Sequence, residues 1–136
     1  MRISNAAAIV ALNAMNALAD NGGYIKVWSG SAPGTCADLD AGSLLATLTL
    51  SVDAFSTATD GGGYATAQAQ VIGADVSADA GGDPGHFRVY GANDECILQG
   101  SAGDSTSGAE LVFDATTINL GESVNIVNLT ITLPEA

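Results

Sequence analysis

The sequence predicts a mainly β fold: an antiparallel β-sandwich of jelly-roll-like type with one N-terminal α-helix. Three observations lead to this prediction. An Ala-rich segment near the N-terminus repeats apolar residues at helical spacing. After residue 23, several short segments alternate apolar and polar residues. Clusters of Gly, Pro, Asp, Asn and Ser separate these segments, and such clusters mark turns. We expect residues 1–136 to form a single domain, because a chain of this length fits one hydrophobic core.

The helix is predicted over residues 4–20. Ile9, Leu12 and Met15 recur at three-residue steps, which places them on one face of a helix. Ser4 or Asn5 can cap its start, and the Gly-Gly pair that follows can stop it. The apolar run is short for a signal peptide and Asn residues interrupt it. We therefore expect the helix to remain in the mature protein.

The β-sandwich is predicted over residues 24–133. In YIKVW, Ile25 and Val27 share one face, and in HFRVY, Phe87 and Val89 do the same. We expect those faces to be buried and the opposite faces to be wet. The residues predicted to point outward from these two segments are Tyr24, Lys26, Trp28, His86, Arg88 and Tyr90.

Two other strands show the same alternation. In YATAQAQVI the inward phase runs from Ala65 to Val71, and in the last strand it runs from Val127 to Leu133. Before Val127 the apolar residues are at even positions, Val124 and Ile126, whereas from Val127 onward they are at odd positions. One extra residue reverses the faces of a strand, so a β-bulge is predicted at this point.

The charge balance excludes several classes of partner. The chain has 15 acidic residues against three basic ones, a net charge of −12. Nucleic acid and anionic membrane surfaces would be repelled, and no apolar run approaches the ~20 residues that span a bilayer. We attribute the excess of acid to solubility rather than to cation recognition.

The sequence contains few residues that could bind a metal or take part in redox reactions. Cys36 and Cys96 lie outside any CxxC or Cys/His cluster, and we expect both to be free thiols in a protein made in a reducing cytoplasm. His86 is the only His, which argues against a zinc site. Acids in Gly-rich loops can bind Ca²⁺, but the EF-hand spacing is absent. The loop acids in question are Asp38, Asp40, Asp75, Asp79 and Asp83, and we expect them to be solvated, with no metal or cofactor bound.

No catalytic arrangement stands out. A Ser–His–Asp triad would have to use His86, which falls inside a predicted strand, and no GxSxG sequence is present. A glycosidase would need two carboxylates in one cleft and aromatic side chains to stack the sugar, and the sequence offers only Trp28, three Tyr and three Phe. We therefore predict that the protein is not an enzyme.

Three stretches carry a resemblance that covers nearly the whole chain in order. They are VWSGSAPGTCADLDAGSLLATLTLS, HFRVYGANDECILQGSAG and ELVFDATTINLGESVNIVNLTITLPEA. The first stretch has a strand that ends in an aromatic-Ser-Gly-x-x-Pro turn, the second is a strand–turn–strand unit, and the third ends in a long strand. Together they resemble a pattern found in small structural proteins of tailed bacteriophages. Within that group the chain is most similar to a capsid cement, or decoration, protein of jelly-roll type. The two cysteines are not part of the shared pattern.

The resemblance implies a location and partners. A cement protein is made in the host cytoplasm, binds the outer surface of the phage head and stabilises contacts of the major capsid protein. Self-association on the capsid is expected too. The net charge of −12 suits the outside of a DNA-filled shell. Our candidate partner contacts are Ile9, Leu12, Trp28, Pro33, Tyr64 and Tyr90.

Two alternatives remain at this stage. The chain could be a tail or neck component of the virion, or a carbohydrate-binding sandwich at a host-recognition surface. The second would need a row of exposed aromatic side chains over a groove. Tyr24, Trp28, Tyr64 and Tyr90 all lie on the predicted outward phase, so their exposure discriminates between ligand binding and a structural role.

Overall fold

The computed structural model describes residues 1–135, which form one α-helix and eight strands. Residue 136, the last of the predicted domain, lies outside the described residues. The elements are α1 (Asn5–Ala17), β1 (Tyr24–Ser29), β2 (Leu44–Thr49), β3 (Thr59–Asp60), β4 (Tyr64–Gln68), β5 (Pro84–Tyr90), β6 (Cys96–Asp104), β7 (Leu111–Phe113) and β8 (Ile126–Pro134).

The strands form one open sheet in the order β2-β1-β5-β6-β7-β8-β4-β3. All neighbouring strands pair antiparallel except β6 and β7, which are parallel. The prediction of a mainly β, sandwich-like fold with one N-terminal helix is confirmed. The parallel pair was not anticipated, because a sequence pattern of alternation carries no strand direction.

The helix begins as predicted and ends three residues earlier than expected. The Ser4 side chain caps it by accepting a hydrogen bond from the Ala7 amide at 3.1 Å. After Ala17 the chain turns, and the Gly23 amide donates to the Ala19 carbonyl at 3.1 Å. A Cβ at position 23 would lie 2.2 Å from that carbonyl oxygen, so only glycine fits this turn. The helix packs against β4, β8 and β3, which are the last three strands in the strand order.

The core follows the inward phase of the strands. Ile25 pairs with Val89 and Val27 pairs with Phe87 across β1 and β5, and all four are fully buried. Burying each such side chain contributes about 1.5–3 kcal/mol by transfer from water. The other large side chains that are fully buried in the core are Leu12, Leu45, Leu48, Leu111, Phe113 and Leu129.

The predicted β-bulge is present at Val127. Along β7 and β8, Val112 faces Asn128 while Phe113 faces Ile126, so Val127 has no partner. Its side chain is 58% exposed, which corrects the expectation that it points inward. Val71 is 81% exposed and was also predicted to be inward. Strand β4 ends before it, at Gln68, so the alternation no longer sets its exposure.

Candidate functional site

Six side chains share the face of β1 and β5 that lies opposite the core, which we call the outer face. The pairing register sets Tyr24 beside Tyr90, Lys26 beside Arg88 and Trp28 beside His86. The whole chain has three Lys or Arg residues, one His, one Trp and three Tyr. The outer face therefore holds two of the three basic residues, the only His, the only Trp and two of the three Tyr.

The rings of the outer face stack in cross-strand pairs. The Tyr24 and Tyr90 ring centroids lie 5.1 Å apart with an interplanar angle of 13°. Trp28 and His86 stack at 5.5 Å and 11°. The Lys26 ammonium lies 5.8 Å from the Tyr24 ring and 5.5 Å from the Tyr90 ring, which is within range of a cation–π attraction.

A loop of residues 30–43, which we call the strap, lies over this face. Its main anchor is the Arg88 guanidinium, which donates to the carbonyl oxygens of Thr35 and Asp38, each at 3.0 Å. The same guanidinium forms an ion pair with Asp40, with Nη1 and Oδ1 2.8 Å apart. Planar guanidinium donors can hold several acceptors in fixed directions, so Arg88 fixes the path of the strap.

Three further hydrogen bonds tie the strap to β5 and β6. The Tyr90 hydroxyl donates to Asp40 Oδ1 at 2.9 Å. His86 Nδ1 donates to the Gly30 carbonyl at 2.9 Å, and Gln99 Nε2 donates to the Pro33 carbonyl at 2.5 Å. All these donors lie on the sheet and all these acceptors lie on the strap.

A disulfide between Cys36 and Cys96 closes the strap onto the start of β6. The expectation of two free thiols is therefore wrong. The two residues are 60 positions apart, and no local spacing reveals their contact. They meet because the strap crosses β5 to reach its other neighbour, β6.

The strap accounts for the burial of the outer face. Arg88, His86, Trp28 and Tyr90 are between 1% and 7% exposed. The predicted strand phase is correct, since these residues lie opposite the core, but their predicted exposure is wrong. The strap itself buries none of its residues, all of which are exposed or half-buried. It is therefore held by polar bonds and one covalent link rather than by apolar packing of its own side chains.

The candidate partner contacts separate into two groups. Leu12, Trp28 and Tyr90 are buried within the chain, which corrects their assignment as contacts. Ile9 and Pro33 are half-buried, and Tyr64 is 39% exposed on β4, so a partner can reach these three side chains. Tyr64 lies at the opposite end of the strand order from β1, so the aromatic residues do not form an exposed row.

Two tyrosines on the outer face hold their protons strongly. Burial, reinforced by the hydrogen bond to Asp94, raises the pKa of Tyr24 to about 12. Burial also raises the pKa of Tyr90, and its hydrogen bond to Asp40 acts in the same direction. Both hydroxyls therefore act as hydrogen-bond donors at neutral pH.

Four of the five loop acids, all except Asp79, have carboxylates that accept hydrogen bonds from the chain. Asp38 accepts from the Thr35 amide at 2.7 Å, Asp75 accepts from the Thr47 amide at 2.8 Å, and Asp83 accepts from the Thr117 hydroxyl at 2.7 Å. Within residues 1–135, no group of three or more His, Cys, Asp or Glu residues is placed to hold a metal ion. These carboxylates stabilise loops by accepting hydrogen bonds.

A second surface feature, the open groove, lies where two extended segments diverge. The Ala69 amide donates a hydrogen bond to the Leu129 carbonyl oxygen at 2.9 Å, and the Asp75 amide donates one to the Val124 carbonyl oxygen at 3.1 Å. Between these points the segments 70–74 and 125–128 are not hydrogen-bonded to each other. The groove measures about 330 Å³ and its lining carries no charged residue. Its exposed Val71 and Val127 are the apolar residues that alternation had placed inside.

No protein-family model, curated protein or solved structure matches the chain. The resemblance to phage structural proteins therefore rests on the sequence motifs alone. Within residues 1–135, no helix has the length and apolar character needed to span a membrane.

Proposed function

We propose that the protein is a virion structural protein, a capsid cement protein that binds the outer surface of a phage head and stabilises contacts between major capsid protein subunits. The observation that carries this proposal is the strap: an exposed loop fixed to the sheet by a disulfide, the Arg88 guanidinium and further hydrogen bonds. A cement protein performs no chemistry and needs a rigid surface that faces its partner.

A rigid exposed loop suits a binding role on energetic grounds. Ordering of loops and side chains opposes association, so a loop that is fixed before binding loses less entropy. The strap carries Leu39, which is 89% exposed, and the half-buried Pro33. An aliphatic side chain held on a fixed loop can serve as an anchor in a pocket of a partner.

The helix contributes less to this surface than its sequence implies. Leu12 faces the core, and the helix uses that face to cover β4 and β8. The exposed apolar surface that remains for neighbouring subunits includes Leu39 on the strap and Val71 and Val127 at the open groove. Contact with other copies of this chain is proposed at the groove, because its uncharged lining lowers the repulsion between molecules of net charge −12.

The charge supports a position outside the shell. A chain with 15 acidic and three basic residues is repelled by packaged DNA. A standard protein interface buries ~1,600 Å², and icosahedral symmetry repeats such an interface many times over one particle. Modest contacts summed in this way raise the force and temperature needed to rupture the shell.

The test is attachment to heads and their resistance to heat. Heads are assembled with the wild-type chain or with the Leu39→Asp variant. Val76→Asp is the matched control, because Val76 is 79% exposed and belongs neither to the strap nor to the groove lining. We expect Leu39→Asp to be lost from heads, and those heads to break at a lower temperature. Bare heads that are as heat-resistant as decorated ones would contradict the cement role.

The same particles separate the alternatives. Labelling of tails or necks instead of heads in electron micrographs would favour a tail or neck component. A carbohydrate-binding module would need a row of exposed aromatic side chains. Trp28 and Tyr90 are buried under the strap, and Tyr64 is the one aromatic residue of β4, so the cement role is favoured over this alternative.

A further inference from the structure

The disulfide pins the strap near its midpoint. The two ends of the strap are fixed, because β1 ends at Ser29 and β2 begins at Leu44. Cys36 lies halfway between them and is joined to Cys96, the first residue of β6. The bond therefore divides one long loop into two short loops, residues 30–35 and 37–43, and each short loop has fewer conformations than the undivided strap.

Without the disulfide, only polar contacts would hold the strap on the sheet. These are the hydrogen bonds and the ion pair described above, of which Arg88 makes the largest share. A hydrogen bond in the folded chain replaces one to water, so each contributes little to the free energy of the seated strap. The entropy lost by ordering a loop, in contrast, grows with every residue that is fixed. The pin at Cys36 therefore controls how much of the time the strap is seated.

The disulfide is within reach of small thiols, and the sheet does not depend on it. Cys36 and Cys96 are both half-buried. The buried core cluster contains neither cysteine, and β6 is paired with β5 from Cys96 to Ser101. In the reduction, two glutathione molecules give two electrons and two protons to the S–S bond, which breaks into two thiols, and they leave as glutathione disulfide. Reduction therefore frees the strap while the sheet stays paired.

The apolar anchor of the proposed binding surface belongs to the pinned segment. Leu39 is three residues from Cys36 and lies between Asp38 and Asp40, both of which accept hydrogen bonds from Arg88. Its side chain is 89% exposed, so packing of that side chain does not hold it in place. The position of Leu39 is therefore set by the seating of the strap.

We propose that the Cys36–Cys96 bond is a redox lock on the surface that binds the capsid. The reduced chain has a loose strap and attaches weakly, and oxidation fixes the strap and with it Leu39. The oxidant is a disulfide such as glutathione disulfide, which takes two electrons and two protons from the two thiols and becomes two glutathione molecules. This inference rests on the proposed function, because it adds a control to the same strap.

The lock orders attachment in time. Thiols are kept reduced in a cytoplasm, and disulfides form and persist in oxidising surroundings. A chain made in a host cytoplasm therefore carries an open strap, and its strap is fixed after the chain leaves that compartment. Attachment to heads tightens at this step without any change in the sequence or in the sheet.

The test compares oxidised and reduced chains on heads that lack the protein. Oxidised wild type, wild type kept in dithiothreitol, and the double variant Cys36→Ser, Cys96→Ser with and without dithiothreitol are titrated onto such heads. The double variant is the matched control, because it cannot form the bond and any response of its attachment to dithiothreitol comes from the heads. Circular dichroism verifies folding, and reduced wild type alkylated with iodoacetamide replaces the double variant if that variant does not fold.

Hydrogen exchange on the free chain is the second measurement, because it follows the strap in the absence of heads. Amides of residues 30–43 should exchange faster in the reduced wild type than in the oxidised wild type. Strap exchange that reduction leaves unchanged would overturn the lock, whatever the heads do.

We expect reduction to weaken attachment of the wild type at least ~10-fold, since apparent affinity falls with the fraction of chains in the competent arrangement. The double variant should attach as weakly as the reduced wild type and should not respond to dithiothreitol. Equal attachment of oxidised and reduced wild type would overturn the lock and leave the cement role intact. No attachment of the oxidised wild type would contradict the cement role, and the control of attachment with it.

Discussion

The two faces of the β1–β5 strand pair are both largely buried, but by different means. On the inner face, Ile25, Val27, Phe87 and Val89 pack into the apolar core and need no polar partner. On the outer face, a guanidinium, an imidazole and stacked rings lie under a loop that buries none of its own residues. The inner face is stabilised by apolar burial, whereas the outer face depends on specific bonds.

This difference separates what holds the fold from what holds the strap. Apolar burial is non-directional and proportional to area, so the inner face tolerates small movements. The hydrogen bonds on Arg88 and the disulfide act only in one arrangement of the strap. We therefore expect changes on the inner face to unfold the chain, and changes on the outer face to release the strap while the sheet persists.

The largest effect is expected at the centre of the inner face. Phe87→Ala removes a fully buried ring and should lower the free energy of unfolding by about 3–5 kcal/mol through lost burial and a cavity. The measurement is a urea unfolding curve. Val76→Ala, at a position 79% exposed, is the control and should change it by less than about 0.5 kcal/mol. Equal shifts for the two variants would contradict the assignment of the inner face.

Loss of the disulfide should come next. Replacing Cys36 and Cys96 by serine frees a segment that spans 60 residues and should cost about 2–4 kcal/mol, chiefly by loosening the unfolded chain. Hydrogen exchange on the folded variant should show a larger loss of protection in the strap than in β5, where protection should fall only by the loss of global stability. Dithiothreitol should destabilise the wild type and leave the double-serine variant unaffected. Equal losses of protection in β5 and in the strap would show that the two faces are not independent.

A smaller effect is expected from the ion pair. Asp40→Asn removes the charge that faces Arg88 and should cost about 1 kcal/mol, because the carboxylate is half-exposed and screened by water. Asp53→Asn, which makes the same change of charge at an exposed position, should have no measurable effect on the unfolding midpoint. Equal midpoint shifts for the two variants would mean that net charge, rather than the Arg88 contact, determines the result.

The smallest effect is expected from Tyr24, because this side chain is only half-buried and water screens its charge; the effect appears only in alkali. Its pKa is raised from 10.0 to about 12 in the folded protein, so its contribution to stability is full below pH 10 and is lost as the pH rises to about 12. Unfolding midpoints measured across this range should fall more steeply for the wild type than for Tyr24→Phe. Parallel curves for the two proteins would show that Tyr24 ionises as easily folded as unfolded.

Much of the fold could be predicted from the sequence because it depends on local patterns. The Ser4 cap, the alternation in YIKVW and HFRVY and the reversal of phase near Val127 are each contained within about ten residues. The helix, the strand faces and the bulge follow from such patterns. The prediction that Val71 is buried was wrong because the alternation of residues continues in the sequence beyond Gln68, where β4 ends.

The candidate site depended on contacts that no local pattern contains. The sequence by itself determined that His86, Arg88 and Tyr90 share one side of β5 and that Trp28 lies on the outward side of β1, since a strand places every second side chain on the same side. Only the tertiary structure decided that this face is covered, that Arg88 meets Asp40 and that Cys36 meets Cys96. Those contacts join residues 48 and 60 positions apart, and they form because the strap folds back across β5 to β6. The alternation of residues within a strand sets which side chains share a face, and the path of a loop sets whether water reaches them.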